Sequence, residues 1–400
     1  MTCSRWKRLH RKMHRCLLLG LLLLAACAPQ APADPRIVPT LPPPAWTEST
    51  SPITLDSVAR IGYLGRLDSL DEPSTIFAHA LAPDGTRLAG LDNSQLIVWD
   101  LLSGEVIYGT ARGDGIRVFY APDKTEVYTL DPEGRVRAFD VTRGLDQGSF
   151  AGHPTYNATV SYYSRDGWLA LGGLDGTVKV WDPLERESLV TLPAHRLQVR
   201  ALAFSDDGRL LATAGEEGTV RVWDWEARQE VAAFEDDQIA ETLAFAPRAD
   251  QLAVGTREVI RVYPLDADGR ALTLNAGLGG TSVLAYAPDG VYLISGGGED
   301  DFSVWNPQSG ALVARLTGSG GQRAAAVFAP DGTMLLTSAM GGLVALWNMT
   351  TITAQTVNSA PINTGGASIF AIDWTGDQRL LTLFGARGSV QVWGVGPEEG

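Results

Sequence analysis

Residues 199–224 read VRALAFSDDGRLLATAGEEGTVRVWD. Val199 to Phe204, Arg209 to Thr213 and Thr219 to Asp224 are short apolar or alternating runs, punctuated by Asp206-Asp207-Gly208 and Glu216-Glu217-Gly218. Asp and Gly suit the backbone angles of tight turns, and period-two alternation over five or six residues marks a half-buried strand. A weaker strand follows at Gln229 to Phe234. The stretch predicts four consecutive strands in one antiparallel sheet.

The same pattern recurs along the chain. An aromatic residue, or its place, closes the third strand at Trp99, Phe139, Trp181, Trp223, Tyr263, Trp305, Trp347 and Trp393, a period of about 42 residues. A first turn keeps step with it: Ala-Pro-Asp-Gly at 82–85, 287–290 and 329–332, Ala-Pro-Asp at 121–123, Arg-Asp-Gly at 165–167, Ala-Pro-Arg at 246–248 and Thr-Gly-Asp at 375–377. One such sheet cannot bury both of its faces, whereas several packed radially cover each other and protect their edges. The expected fold is therefore all-β, a β-propeller.

The chain ends decide the number of blades. Only seven residues follow Trp393, so the eighth unit lacks room for its fourth strand, while Val58 to Arg66 reads as a strand with no first three of its own. Pairing the two would close a ring of eight four-stranded blades. Seven blades is the alternative, should a degenerate unit such as the fifth fail to form.

Trp99-Asp100, Trp181-Asp182 and Trp223-Asp224 make residues 59–400 resemble WD repeats, with the pair degenerate in the other units. The resemblance implies a buried hydrogen-bonded chain in each intact unit, here His195, Thr213, Glu217 and Trp223, with Glu217 where the family has Asp. The third unit offers His153, Asp175 and Trp181 but Leu171 at the hydroxyl position. A His, a carboxylate and a hydroxyl can also be read as a nucleophilic triad, but these fall on repeat positions whose family role is structural.

Ahead of the repeats, Arg5, Lys7, Arg8, Arg11, Lys12 and Arg15 precede an apolar run from Leu17 to Ala26. That is the layout of an export signal, and the run is too short to span a bilayer. Leu24-Ala25-Ala26-Cys27 resembles the bacterial lipobox, which implies cleavage after Ala26 and a lipid such as palmitate on Cys27. Plain signal-peptidase cleavage is the alternative. Eight prolines between residues 28 and 52 suit an extended polyproline tether. The expected organisation is a signal at 1–26, a tether at 27–57 and the propeller at 58–400. The location implied is the bacterial cell envelope, outside the cytoplasm.

Composition narrows the chemistry. The formal charge is −14, with 46 acidic against 32 basic residues, and six of the basic ones lie in the signal. Such a chain is poorly matched to nucleic-acid phosphates. All three cysteines, Cys3, Cys16 and Cys27, precede the repeats, which leaves no disulfide or thiolate metal site there. His79, His153 and His195 fall in separate units, so no cofactor or metal is expected. Loops expected on one propeller face carry Glu216, Asp236, Asp237, Glu299, Asp300 and Asp301, together with Asp92, Asp131, Glu133, Glu217 and Glu235, while the eighth unit offers Arg387. These predict an acidic crescent for a basic or uncharged partner.

The reading is a monomeric, non-catalytic scaffold that binds a protein or peptide on one face and meets the membrane through Cys27. The alternatives are a quinone-dependent or other propeller enzyme, although quinone-binding families place their Trp after a Thr-Gly turn, and an envelope-protein assembly factor.

Overall fold

The repeat turns behave as their chemistry requires in the computed structural model. It describes residues 51–395 apart from 55–56, 58–60, 68–75, 93–94, 112–114, 155, 164, 237, 267–269, 276–280, 297–301, 317–324, 339–342, 354–358, 364–368 and 386–389. In the first turns, the carboxylates of Asp84, Asp123, Asp207, Asp289, Asp331 and Asp377 each accept the backbone N–H two residues on, at 2.9–3.1 Å. The Asp of each Trp-Asp pair caps the next turn in the same way: Asp100 accepts from Leu102 and Ser103, and Asp224 from Ala227. Asn306 and Asn348 keep that role, because an amide oxygen accepts as a carboxylate does.

The described residues form eight four-stranded antiparallel sheets, each in sequential order except the last. Blade 1 begins at Ala78–Leu81, and blade 4 comprises Val199–Phe204, Leu210–Gly215, Thr219–Asp224 and Gln229–Glu235. Blade 8 takes three strands from the end of the chain and its fourth, Ile61–Leu67, from the beginning, paired with Val390–Val395. The seven-blade alternative is excluded. The degenerate fifth unit is a full blade of Thr242–Phe245, Gln251–Gly255, Val259–Pro264 and Leu272–Asn275.

The core lies between blades. Leu91, Val98, Val118 and Phe139 join blades 1 and 2, and Ala170, Val180, Leu211 and Trp223 join blades 3 and 4. The repeat aromatic marks a register shift between third and fourth strands at Trp99, Phe139, Trp181, Trp223 and Trp305. Such bulges sharpen strand twist, as a sheet wedged between two others requires.

Packing also begins before residue 58. Ile53 is fully buried among core residues of blades 7 and 8, and its N–H donates to the Gln378 carbonyl (2.8 Å). Ser51 bridges to Val395. The expected boundary between tether and propeller therefore lies too late in the chain, because an anchoring residue outside the repeat leaves no periodic trace.

Candidate interaction face

One face of the ring is built, in blades 2 to 4, where the loop between second and third strands meets the linker into the next blade. The linker residues His153, His195 and Asp236 occupy equivalent places, their N–H groups donating to the carbonyls of Gly134, Gly176 and Gly218 (3.0, 2.9 and 2.8 Å). Gly176 has φ +78°, and a Cβ there would lie 2.1 Å from the His195 carbonyl oxygen. Only glycine allows this approach.

The contact orients His195 inward. Its Nε2 lies 2.8 Å from Thr213 Oγ1, which accepts from Trp223 Nε1 (3.2 Å), and its Nδ1 lies 3.0 Å from Glu217 Oε1. With the indole N–H on Thr213, the hydroxyl proton points to Nε2 and the imidazole proton is on Nδ1, toward the carboxylate. Every donor in the chain is used by a neutral imidazole. Burial lowers the His195 pKa, outweighing the opposing pull of Glu217. Burial alone would raise the Glu217 carboxyl, but backbone N–H groups, Arg196 among them, and His195 bring it down to about 2. Thr219, which the sequence reading missed, adds a hydroxyl donor to the same carboxylate oxygen (3.0 Å). Thr213 is fully buried, out of reach of a substrate, so it is not placed as a nucleophile.

Departures from the pattern are compensated locally. In blade 3, where Leu171 replaces the hydroxyl, Trp181 Nε1 donates to the Gly152 carbonyl (2.8 Å) and His153 Nε2 meets Thr177 Oγ1 (3.1 Å). Trp305 and Trp347 keep Ser295 and Thr337 as acceptors (2.8 and 2.7 Å).

Blade 5 corrects the expectation for Asp236. This residue stands where blade 4 has His195, and its carboxylate is fully buried: Oδ1 meets Arg261 Nη1 at 2.8 Å, and Oδ2 accepts from the Tyr263 hydroxyl at 3.2 Å. Tyr263 replaces the repeat Trp, so a Tyr–Asp–Arg cluster substitutes for the Trp–Thr–His chain. Asp236 is a structural residue with no charge to offer a partner. Alignment of its position with His195 was the available signal.

Three further residues expected in the acidic crescent are also held within the fold, while Glu133 and Glu235 are exposed. Asp92 is buried and accepts the Gln95 N–H (2.6 Å), Asp131 pairs with Arg135 (2.6 Å), and Glu217 is committed to His195. Asp237, Glu299, Asp300, Asp301 and Arg387 lie outside the described residues, as do Ala26 and Cys27. Glu216 is exposed on the expected face, its N–H bonded to the Gln198 carbonyl (2.9 Å).

This face also presents aliphatic side chains. Leu174, Leu197 and Ile239 are 56%, 49% and 41% exposed, on a loop and two linkers knitted together by the contacts above. Arg196 and Arg200 are exposed beside Leu197, and neither forms an ion pair among the described residues. Among those residues no cluster of three metal-binding side chains occurs, and no helix is long and apolar enough to cross a membrane.

Residues 145–182 and 186–224 match the family described as WD domain, G-beta repeat. The propeller carries WD repeats over those residues. Among curated relatives, the WD repeat-containing protein SL1-17 of Schistosoma mansoni is 31% identical over 121 residues, 30% of this chain and 40% of that protein. Cell division cycle 20.6, cofactor of APC complex, from Arabidopsis thaliana is 25% identical over 260 residues, 61% of each chain. The chain thus spans less than two thirds of these relatives. Among solved structures, Sqt1 from Chaetomium thermophilum superposes with a TM-score of 0.69 at 18% identity, covering 84% of this chain and 99% of Sqt1. Sqt1 has also been solved bound to the N-terminus of ribosomal protein L10, with a TM-score of 0.66 at 19% identity over 82% of this chain and 98% of that one. At these identities the likeness is one of fold.

Proposed function

We propose that this propeller is a non-catalytic scaffold that holds a protein or peptide partner on its linker face and is tethered to a bacterial membrane through a lipid on Cys27. The carrying observation is the grouping of exposed Leu174, Leu197 and Ile239 on loops fixed by backbone hydrogen bonds. Preformed loops lower the ordering cost of binding, and aliphatic side chains gain by leaving water. Arg196 and Arg200 beside them favour a partner that brings carboxylates as well as apolar side chains. The Sqt1 complex with a ribosomal-protein segment supports the peptide-binding part of the reading. The basic segment, apolar run and Leu24-Ala25-Ala26-Cys27 support the anchor and an extracytoplasmic location in the cell envelope.

A photo-crosslinking amino acid at Leu197 in intact cells should trap a partner that the same group at Leu102, in an exposed turn between the third and fourth strands of blade 1, does not. Leu197→Asp with Ile239→Asp should abolish the product in a folded protein. Identical products from the Leu197 and Leu102 positions would reject the face. A mature N-terminus without lipid on Cys27, read by mass spectrometry, would reject the anchor.

A further inference from the structure

The seam between blades 8 and 1, where the ring closes, differs from most others. Inner strands of neighbouring blades lie against each other between blades 1 and 2 and in every step from blade 3 to blade 8. The seam between blades 2 and 3 is wedged by the rings of Phe119 and Tyr162 (4.9 Å). At the closing seam the wedge is His79 of blade 1, stacked on Phe384 of blade 8 with ring centroids 3.7 Å apart.

Three polar groups meet there without mutual satisfaction. Asp373 lies opposite Thr382 in the register of blade 8, and Ala371 lies opposite Phe384. Side chains two apart on a strand share a face, so Asp373, Thr382 and Phe384 all face blade 1, as the packing of Phe384 with Leu88 and Trp99 requires. Cross-strand neighbours stand ~5 Å apart and residues two apart ~7 Å, so Asp373 and Thr382 are neighbours on the face that His79 covers at Phe384. Thr382 is fully buried and its Oγ1 has no partner. Among the described residues, Asp373 accepts only the adjacent Trp374 N–H (2.8 Å), and His79 makes no hydrogen bond. Both residues are partly exposed.

We propose that this seam is a binding site for a primary ammonium group, held by Asp373, Thr382 and His79. An ammonium carries three N–H donors and one positive charge. The site offers three acceptors, a carboxylate, a hydroxyl and an imidazole nitrogen, with one negative charge. Burial lowers the His79 pKa to about 4, so at neutral pH its ring is uncharged and has one nitrogen free to accept. Burial raises that of Asp373 to about 6, against the bond from Trp374, so at neutral pH the carboxylate is ionised, with no counter-ion among the described residues. A bound cation relieves that cost. A water molecule has two donors and no charge. A divalent metal would find one carboxylate and one imidazole, short of a ligand set.

The ammonium can come from a free amine or from a lysine side chain of a bound protein. The test titrates the purified mature protein with n-butylamine and follows the imidazole nitrogens of His79 by NMR, with tetramethylammonium chloride as a cation lacking N–H donors. A saturable shift is expected with butylamine and none with tetramethylammonium at equal ionic strength. Asp373→Asn, checked for native circular dichroism, should weaken binding about tenfold or more, as loss of a charge-assisted hydrogen bond does. Thr382→Val should weaken it by a smaller factor. Nα-acetyl-lysine amide binding more tightly than butylamine supports the site with a protein side chain as ligand, and the reverse order supports it with a free amine. The proposal is overturned if butylamine gives no saturable response, if tetramethylammonium matches it, or if folded Asp373→Asn binds like the wild type.

Discussion

Glu217 shows how a residue that looks catalytic in sequence serves the fold. Its side chain is almost fully buried, and it accepts the Arg196 and Leu197 N–H groups (3.2 and 3.3 Å) as well as His195, so folding favours its ionised form. With its pKa at about 2 against an ordinary 4.5, the stability it contributes is complete above pH 4.5 and is lost as pH falls toward 2. A shift of that size corresponds to roughly 3 kcal/mol. His195 adds in the same sense, since its lowered pKa makes protonation below pH 6.5 costly in the fold. Glu217→Gln should lower stability at pH 7 by about 1–3 kcal/mol, because an amide cannot accept at both oxygens. It should also flatten the loss between pH 4.5 and pH 3. Urea midpoints at those three pH values measure both effects, and parallel wild-type and variant curves would remove Glu217 from the acid limb. The partners of His195 were legible because they recur at fixed places in the repeat. Those of Asp236 were not, since Arg261 and Tyr263 lie on a different strand and the repeat pattern carries no record of which charge they neutralise.

At the scale of the element, the first turn of every blade uses one left-handed position. Five blades place glycine there (Gly85, Gly167, Gly208, Gly290 and Gly332, φ 70–81°), whereas blades 2, 5 and 8 place Lys124, Ala249 and Gln378 (φ 64°, 53° and 60°). The left-handed region costs a residue with a Cβ about 1–2 kcal/mol, and the greater unfolded-state freedom of glycine returns roughly 0.5–1 of it. Lys124 offsets its strain with an ion pair to Asp84 of the preceding blade (2.8 Å), but Ala249 has no side chain with which to do so. Ala249→Gly should therefore stabilise the protein by about 0.5–1 kcal/mol, seen as a higher thermal midpoint. The reverse change at Gly208 should destabilise it by more, because a Cβ there would lie 2.5 Å from the Tyr163 ring. An unchanged or lower midpoint for Ala249→Gly would show that the backbone at this turn relaxes out of the left-handed region. These turns were readable from sequence down to the residue, since turn chemistry is local.

At the scale of the molecule, a ring of blades has one weak point, the blade assembled from both chain ends. Its outer strand Ile61–Leu67 buries Leu64 and Leu67 in the core shared by blades 8 and 1, and this was foreseeable because the last unit lacked a strand. The second fastening was not foreseeable. Ile53 fills the core between blades 7 and 8, the opposite side of the closing blade, and Val395 pairs with both Ile61 and Ser51. The N-terminal chain thus clasps the closing blade from two sides. Full burial of an isoleucine is worth roughly 2–3 kcal/mol, and a cavity left in its place adds to the loss. A chain beginning at Val58 keeps the closing strand but loses Ser51 and Ile53, and should unfold with a denaturant midpoint lowered by the equivalent of about 3 kcal/mol. Ile53→Ala in the longer chain should account for most of that difference, which distinguishes loss of the anchor from a general effect of shortening. If the shorter chain matched the longer one in stability, the clasp would add nothing and the propeller would begin where its repeats do.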